Sequence, residues 1–243
     1  MDRLRKPVLA VVALAALTAL VACQPAPSTA RTIPPAKFGA PGNLIEGGLG
    51  SVLNPMRNPA GTNDYSCKPT TAHPNPVVLV HGTMGNAYDS WSGLGPVLKS
   101  FGYCVFAVNY GAAESSLFKG TGDIPTSAAQ IGRFVDGVRS ATGAAKVDLV
   151  GHSQGGSVSR YYANLIGGSS KVGNVVGLAP SNHATNVSGL LTLGRFIGAV
   201  DPIFALTNWI GLPALQQQAD PNSSFFAALN GNGLIADATT SAS

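Results

Sequence analysis

A serine flanked by glycines is the first feature of the sequence that could carry out chemistry. Residues 151–155 read Gly-His-Ser-Gln-Gly, the G-x-S-x-G pattern in which a strand turns sharply into a helix and presents a nucleophilic serine. Glycines two residues before and after the serine let the two chain segments pass closely. The apolar run 147–150 precedes the pattern and a helical segment over 157–165 follows it. We therefore interpret Ser153 as the nucleophile of an elbow.

A second turn could stabilise the charge that serine attack creates. The apolar run 77–80 opens into residues 81–85, His-Gly-Thr-Met-Gly. Attack of a serine oxygen on an ester carbonyl produces an oxyanion, and each preorganised backbone N–H donor can stabilise it by roughly 3 kcal/mol. We predict that the backbone amides of Thr83 and Gln154 form this oxyanion hole.

The surrounding pattern predicts how these turns are positioned. Apolar, β-branched runs predict strands at 77–80, 103–108, 147–150 and 172–178. Helices are predicted at 127–142, at 223–229 and after the elbow, and a short helix interrupted by glycine and proline is predicted at 91–101. Strands that alternate with helices pair in parallel through right-handed crossovers. The fold class is therefore α/β, a mostly parallel sheet flanked by helices, with its site at the carboxyl ends of the strands.

The first residues resemble an export signal. A basic start and an apolar run over 8–21 predict a signal peptide over 1–22. The sequence Leu-Val-Ala-Cys at 20–23 resembles a bacterial lipobox, which would make Cys23 a lipid anchor; secretion with cleavage after Ala30 fits equally well. Either alternative places the protein outside the cytoplasm, in the cell envelope or the extracellular medium.

Composition indicates one globular domain. The chain of 243 residues is 45% hydrophobic and 11% charged, which argues against a disordered protein. We predict a Pro-rich tether over 23–41, a single domain over 42–230 and a disordered tail over 231–243. Without the leader the formal charge falls from +4 to +2, because 12 basic and 10 acidic residues remain. A net charge of +2 does not indicate a nucleic-acid-binding protein.

Two cysteines remain once Cys23 is assigned to the leader or its anchor. Cys67 precedes the first core strand and Cys104 lies in the second. An even number of cysteines in an oxidising compartment predicts that Cys67 and Cys104 form a disulfide.

Several separated motifs resemble one family. Residues 64–67, 77–82, 103–111, 151–155 and 178–183 together resemble the secreted bacterial lipases of the lipase class 2 family, which are α/β-hydrolases. The resemblance implies lipase or esterase activity on a lipid or ester substrate through Ser153, without a metal or an organic cofactor. It also makes a lipid or membrane interface a candidate partner.

The base that should activate the serine is the weak point of this interpretation. In an α/β-hydrolase the chain order is serine, acid, histidine. His183 alone among the four histidines follows Ser153, so it is the candidate base, although the family resemblance has a non-catalytic histidine there. The lipases it resembles continue past the equivalent of Asn230 with strands that carry the acid and the base. We therefore expect a hydrolase that lacks its last strands and has little activity.

Other residues keep alternatives open. Three acids follow Ser153, and we interpret each as a surface or helix-capping residue: Asp201, Asp220 and Asp237. The apolar stretch 190–210 could line an acyl pocket, form a lid, or pack as buried helices on the sheet. The functional hypotheses are a secreted lipase or esterase, a non-catalytic relative that binds lipid or a partner through 190–210, and an acyltransferase.

Overall fold

Among the residues that the structure describes, four parallel strands form a sheet at the centre of the fold. The computed structural model describes residues 57–116, 118–184 and 212–231. The strands are β1 (Val77–Val80), β2 (Val105–Val108), β3 (Val147–His152) and β4 (Val172–Leu178), in the order β2-β1-β3-β4. All three neighbouring pairs are parallel, which confirms the α/β prediction.

The strand register brings the predicted site loops to one edge. Val80 pairs with Val108 on one side and with Gly151 on the other. The predicted bounds of β1 and β4 are confirmed, whereas β2 begins two residues later than predicted and β3 extends two residues further. The longer β3 carries the chain directly to Ser153, at the carboxyl edge of the sheet.

Helices cover both faces of the sheet. They are α1 (Ala87–Trp91), α2 (Leu94–Ser100), α3 (Ile124–Thr142), α4 (Gln154–Leu165), α5 (Pro213–Ala219) and α6 (Ser224–Asn230). Val78 and Val80 belong to the core cluster that contains the buried faces of α3 and α4, while Val77 and Leu79 pack with Trp91 of α1 on the other face. Burial on both faces explains why the strand sequences are almost continuously apolar.

The short helix predicted over 91–101, interrupted by glycine and proline, is present as α2 over Leu94–Ser100, whereas α1 before it was not predicted. The side chain of Asn86 caps α1 in a capping box with Asp89, and the helix ends at Trp91. Pro96 lies in the first turn of α2. A proline ring clashes with the carbonyl group four residues before it, here that of Ser92, so a continuous helix cannot pass through this point.

The longest helix begins earlier than predicted. The Asp123 side chain accepts the N–H of Thr126, and the helix therefore starts at Ile124 with Pro125 in its first turn. Ile131, Val135 and Val138 are fully buried, as the apolar periodicity predicted. The helix ends at Gly143, in the left-handed conformation.

An irregular arm before β1 is tied to the sheet. Cys67 and Cys104 form a disulfide, which confirms the predicted pairing and joins this arm to the residue before β2. Asn63 lies along the outer edge of β2: its backbone N–H donates to Val105 O at 2.9 Å and its side chain bonds both the N–H and the carbonyl of Ala107. The arm thus satisfies backbone groups of an edge strand that would otherwise be open.

Several predictions concern residues outside the described ones. These are the signal peptide over 1–22, Cys23, the tether over 23–41, the apolar stretch 190–210, Asp201, Asp237, the tail from 232 onward and the missing final strands. Within the described ranges, none of the helices combines the length and the apolar character needed to cross a membrane.

Candidate active site

The backbone of Ser153 has the conformation of a nucleophile at the apex of an elbow. Its φ is 52° and its ψ is −124°, a region that a residue with a side chain occupies only under strain. The serine stands between the last residue of β3 and the first residue of α4. Its N–H donates to the carbonyl oxygen of Leu178 at 3.0 Å, which ties the apex to the end of β4.

Two glycines make this turn sterically possible. A Cβ on Gly151 would lie 2.3 Å from the carbonyl carbon and oxygen of Gly155, and a Cβ on Gly155 would lie 2.1 Å from Val80 O. Neither contact can be relieved by a side-chain rotation, because both partners are backbone atoms. The elbow is therefore pressed against the end of β1, where the loop 81–85 begins.

The predicted oxyanion donors lie on the two segments that meet here. A Cβ on Gly82 would lie 3.2 Å from the Cβ of Ser153, so the loop 81–85 abuts the serine. Gln154 is the first residue of α4. A backbone N–H at this position has no acceptor within the helix and lies at the positive end of the helix dipole. Within the described part of the chain, the N–H groups of Thr83 and Gln154 have no hydrogen-bond acceptor.

A buried tyrosine joins the two loops beneath the serine. The hydroxyl of Tyr110 lies 2.7 Å from His81 O and 2.8 Å from the Gln154 side-chain amide. Both neighbours, His81 O and Gln154 Oε1, are carbonyl oxygens that can only accept, and a phenol has one hydrogen to donate, so the Tyr110 hydroxyl shares its hydrogen between them. Removal from water raises the pKa of the buried Tyr110 hydroxyl, which keeps it protonated for this role.

His81 is neutral and serves the architecture of the loop. Its ring is completely buried and stacks on Tyr110, with the ring centroids 4.4 Å apart. Its Nδ1 donates to Gly82 O at 2.8 Å. Removal from water lowers the pKa of His81 to about 4; the hydrogen bond to Gly82 opposes this shift and the charge of Lys119 adds to it.

A family model described as lipase (class 2) matches residues 74–190, the segment that contains both loops. Residues 74–190, the lipase class 2 segment, are therefore similar to this family. A triacylglycerol lipase from Pseudarthrobacter phenanthrenivorans is 42% identical over 94 residues, which cover 36% of this chain and 28% of that lipase. One from Burkholderia plantarii is also 42% identical over 94 residues, covering 36% and 25%. The chain thus spans about a quarter of the length of these relatives.

Two solved structures to which part of the chain is similar are those of a lipase and a phospholipase. The mature form of the Bacillus licheniformis lipase BlEst2 is 17% identical, with 66% of each chain covered and a TM-score of 0.39. Phospholipase PlaB from Legionella pneumophila is 17% identical, with 64% of this chain and 34% of that chain covered and a TM-score of 0.43.

The structure brings Ser153, Thr83 and Gln154 of the lipase class 2 segment together, but not His183. The exposed His183 ring has its Nδ1 3.5 Å from the side-chain nitrogen of Asn230, and Asn230 in turn bonds Arg160 at 2.7 Å. Arg160 lies seven residues along α4 from Ser153, about 10 Å at the helical rise. His183 therefore faces the middle of α4 rather than the elbow.

The other candidate side chains have separate roles. Asp220 Oδ1 accepts the N–H of Asn222 at 2.9 Å in the turn before α6. His152 is exposed, and His73 packs against Tyr103 with the two rings tilted and their centroids 3.8 Å apart. Within the described residues, no cluster of histidine, cysteine or acidic side chains has the arrangement to hold a metal ion.

Two residues at the site were not found from the sequence. Tyr110 lies within the motif 103–111, but nothing in the pattern indicates its bond to the elbow. Gln218 of α5 donates to Thr83 Oγ1 at 2.7 Å although 135 residues separate the two. Gln218 lies beyond the lipase class 2 segment, and the helix that carries it was not predicted.

Proposed function

We propose that the chain is an exported serine hydrolase of carboxylic esters, of the triacylglycerol lipase or esterase type. The observation that carries the proposal is the strained backbone of Ser153 beside two backbone N–H groups, those of Thr83 and Gln154, that have no acceptor in the described residues. The similarity of residues 74–190 to the lipase class 2 family supports the same reaction. Export rests on the signal-like leader 1–22.

The proposed reaction has two halves. Ser153 Oγ forms a bond to the ester carbonyl carbon while its proton passes to a base, and the carbonyl oxygen takes up the negative charge. The N–H groups of Thr83 and Gln154 donate to this oxygen. Collapse expels the alcohol, which receives the proton, and leaves an acyl-serine. Water then attacks the acyl-serine by the same path and releases the carboxylic acid.

His183 is the candidate base by chain order, but its ring must move before it can take this role. Its ring would have to leave Asn230 and approach Ser153 from the segment after β4. Loss of a general base lowers turnover by several orders of magnitude. If this histidine is the base, His183→Ala should reduce Ser153-dependent hydrolysis by roughly 1,000-fold or more. Asn230→Ala should not reduce it.

The experiment that tests the function is product analysis on short-chain and long-chain triacylglycerols. We expect purified mature protein to release free fatty acid and the Ser153→Ala variant to release none above background. An acylated acceptor without free acid would assign the same serine to acyl transfer instead. Binding to lipid vesicles that survives Ser153→Ala, without any release of acid, would favour a non-catalytic lipid-binding protein.

A further inference from the structure

Gln218 holds the side chain of Thr83 through a fully satisfied buried amide. The Gln218 side chain is 3% exposed. Its Nε2 donates to Thr83 Oγ1 at 2.7 Å and to Ala214 O at 3.1 Å. Its Oε1 accepts from Ser181 Oγ at 3.1 Å. The amide thereby connects three elements: α5, the loop 81–85 and the segment after β4.

The contact with Ala214 fixes which way the amide points. A backbone carbonyl oxygen can only accept a hydrogen bond, so the atom that faces Ala214 O must be the nitrogen of the Gln218 amide. The same nitrogen faces Thr83 Oγ1. Thr83 therefore accepts at this contact, and its own hydroxyl hydrogen must point elsewhere. Within the described ranges this hydrogen has no acceptor.

The position of Thr83 indicates where this hydrogen is used. The backbone N–H of Thr83 is one of the two proposed oxyanion donors, and the hydroxyl oxygen is only three covalent bonds from that nitrogen. The loop that carries Thr83 abuts Ser153 through Gly82. A donor here gains its acceptor when negative charge develops on the substrate oxygen, because the residues that the structure describes offer none.

We propose that the Thr83 hydroxyl is a third oxyanion donor and that Gln218 is the positioning residue that keeps it in the donating orientation. The inference rests on the proposed ester hydrolysis. It adds a side-chain donor to the two backbone N–H groups, and it gives α5, which lies outside the lipase class 2 segment, a role in the reaction.

Substitutions at Thr83 test the donor. Thr83→Val keeps the shape and removes the hydroxyl, and we expect kcat to fall about 100-fold with little change in KM, the effect of losing one oxyanion donor. Thr83→Ser retains the hydroxyl and should stay within about fivefold of the wild type, on the same reasoning. A Thr83→Val variant with wild-type kcat would overturn the proposal.

Substitution at Gln218 separates orientation from simple anchoring. In Gln218→Glu the carboxylate can only accept, so the contact with Ala214 O is lost, the bond to Thr83 Oγ1 forms with reversed polarity, and the Thr83 hydrogen is drawn away from the substrate. We expect kcat to fall as in Thr83→Val, and the double variant to lose no more than either single variant. Near-wild-type kcat in Gln218→Glu, with reduced kcat in Gln218→Leu, would reduce Gln218 to an anchor and overturn the positioning role.

Two controls keep the outcomes distinct. Thermal melts of each variant show whether a loss of activity comes from unfolding, and Thr83→Val remains decisive where a Gln218 variant does not fold. Equal turnover by the wild type and Ser153→Ala would overturn the proposed function and this inference together. Ser153-dependent turnover that Thr83→Val leaves unchanged would overturn the inference alone.

Discussion

Gly155 of the elbow packs so closely on β1 that a Cβ at this position would lie 2.1 Å from the carbonyl oxygen of Val80. The contact joins the start of α4 to the strand that leads into the loop 81–85. The nucleophile and its proposed oxyanion donors are thus positioned relative to each other by backbone packing, before any side chain contributes.

We expect Gly155→Ala to destabilise the protein by about 3 kcal/mol, because overpacking against backbone forces the chain itself to move. Gly137→Ala is the matched control: Gly137 lies on the exposed face of α3 with nothing within 4 Å of a new Cβ. Alanine there should stabilise the helix by about 0.5 to 1 kcal/mol. Urea unfolding of both variants measures this, and equal stability would contradict the packing argument.

Tyr110→Phe should weaken both stability and turnover. It leaves His81 O and the Gln154 side chain without their buried partner, a loss that costs about 1 to 3 kcal/mol. The loops that carry the oxyanion donors lose their connection, so kcat should fall more than KM changes. Tyr161→Phe is the control, since the Tyr161 ring stacks on Phe225 and its hydroxyl has no bond in the described structure. Similar effects of both variants would argue against the bridge.

Local patterns in the sequence were sufficient for the elements that place Ser153. The strands 77–80 and 172–178, the elbow and the disulfide all depend on nearby residue types or on cysteine count. The interruption of the segment 91–101 was predicted from its glycine and proline, and Pro96 supplies the physical reason. The short helix α1 before this segment was not predicted.

The polar contacts around the site could not be predicted in this way. Helix α5 reads Pro-Ala-Leu-Gln-Gln-Gln-Ala, a pattern with few apolar residues, so periodicity did not indicate it. Among its three glutamines only the tertiary fold selects Gln218 to bond Thr83. The position of His183 away from Ser153 could not be predicted for a similar reason, because chain order says nothing about the path of the segment after β4.

Removal of the disulfide should lower thermal stability substantially. The Cys67–Cys104 bond spans 37 residues, and closing a loop of this length stabilises a fold by about 4 kcal/mol in the chain-entropy account. We expect Cys67→Ala/Cys104→Ala to melt roughly 10 °C below the wild type, and a reducing agent to lower the wild-type melting temperature by a similar amount while leaving the variant unchanged. A double variant as stable as the wild type would contradict this expectation.

Stability should fall in mild acid because of His81. Its pKa is about 4 in the folded protein and 6.5 in the unfolded chain, so the unfolded state binds more protons between these values. The contribution of neutral His81 to the free energy of unfolding is fully present above pH 6.5. It is lost progressively as the pH falls toward 4, by about 3 kcal/mol in total. The pKa values of Asp64 and Asp123 are also lowered, so protonation of these carboxylates in acid reduces the free energy of unfolding as well.

Comparison with His81→Gln isolates the histidine. The free energy of unfolding of the wild type should fall more steeply from pH 7 to pH 4.5 than that of the variant, because both retain the same carboxylates. Parallel pH profiles would show that His81 does not titrate between the two states as its burial requires.

The measurement that tests the central claim most directly is hydrolysis of p-nitrophenyl butyrate by the purified mature protein, Ser153→Ala and Ser157→Ala. Ser157 is buried in α4 and its hydroxyl has no partner in the described structure, so its variant controls for the loss of a hydroxyl near the elbow. We predict turnover by the wild type and by Ser157→Ala, and its disappearance in Ser153→Ala. Equal rates for all three proteins would contradict Ser153 as a nucleophile.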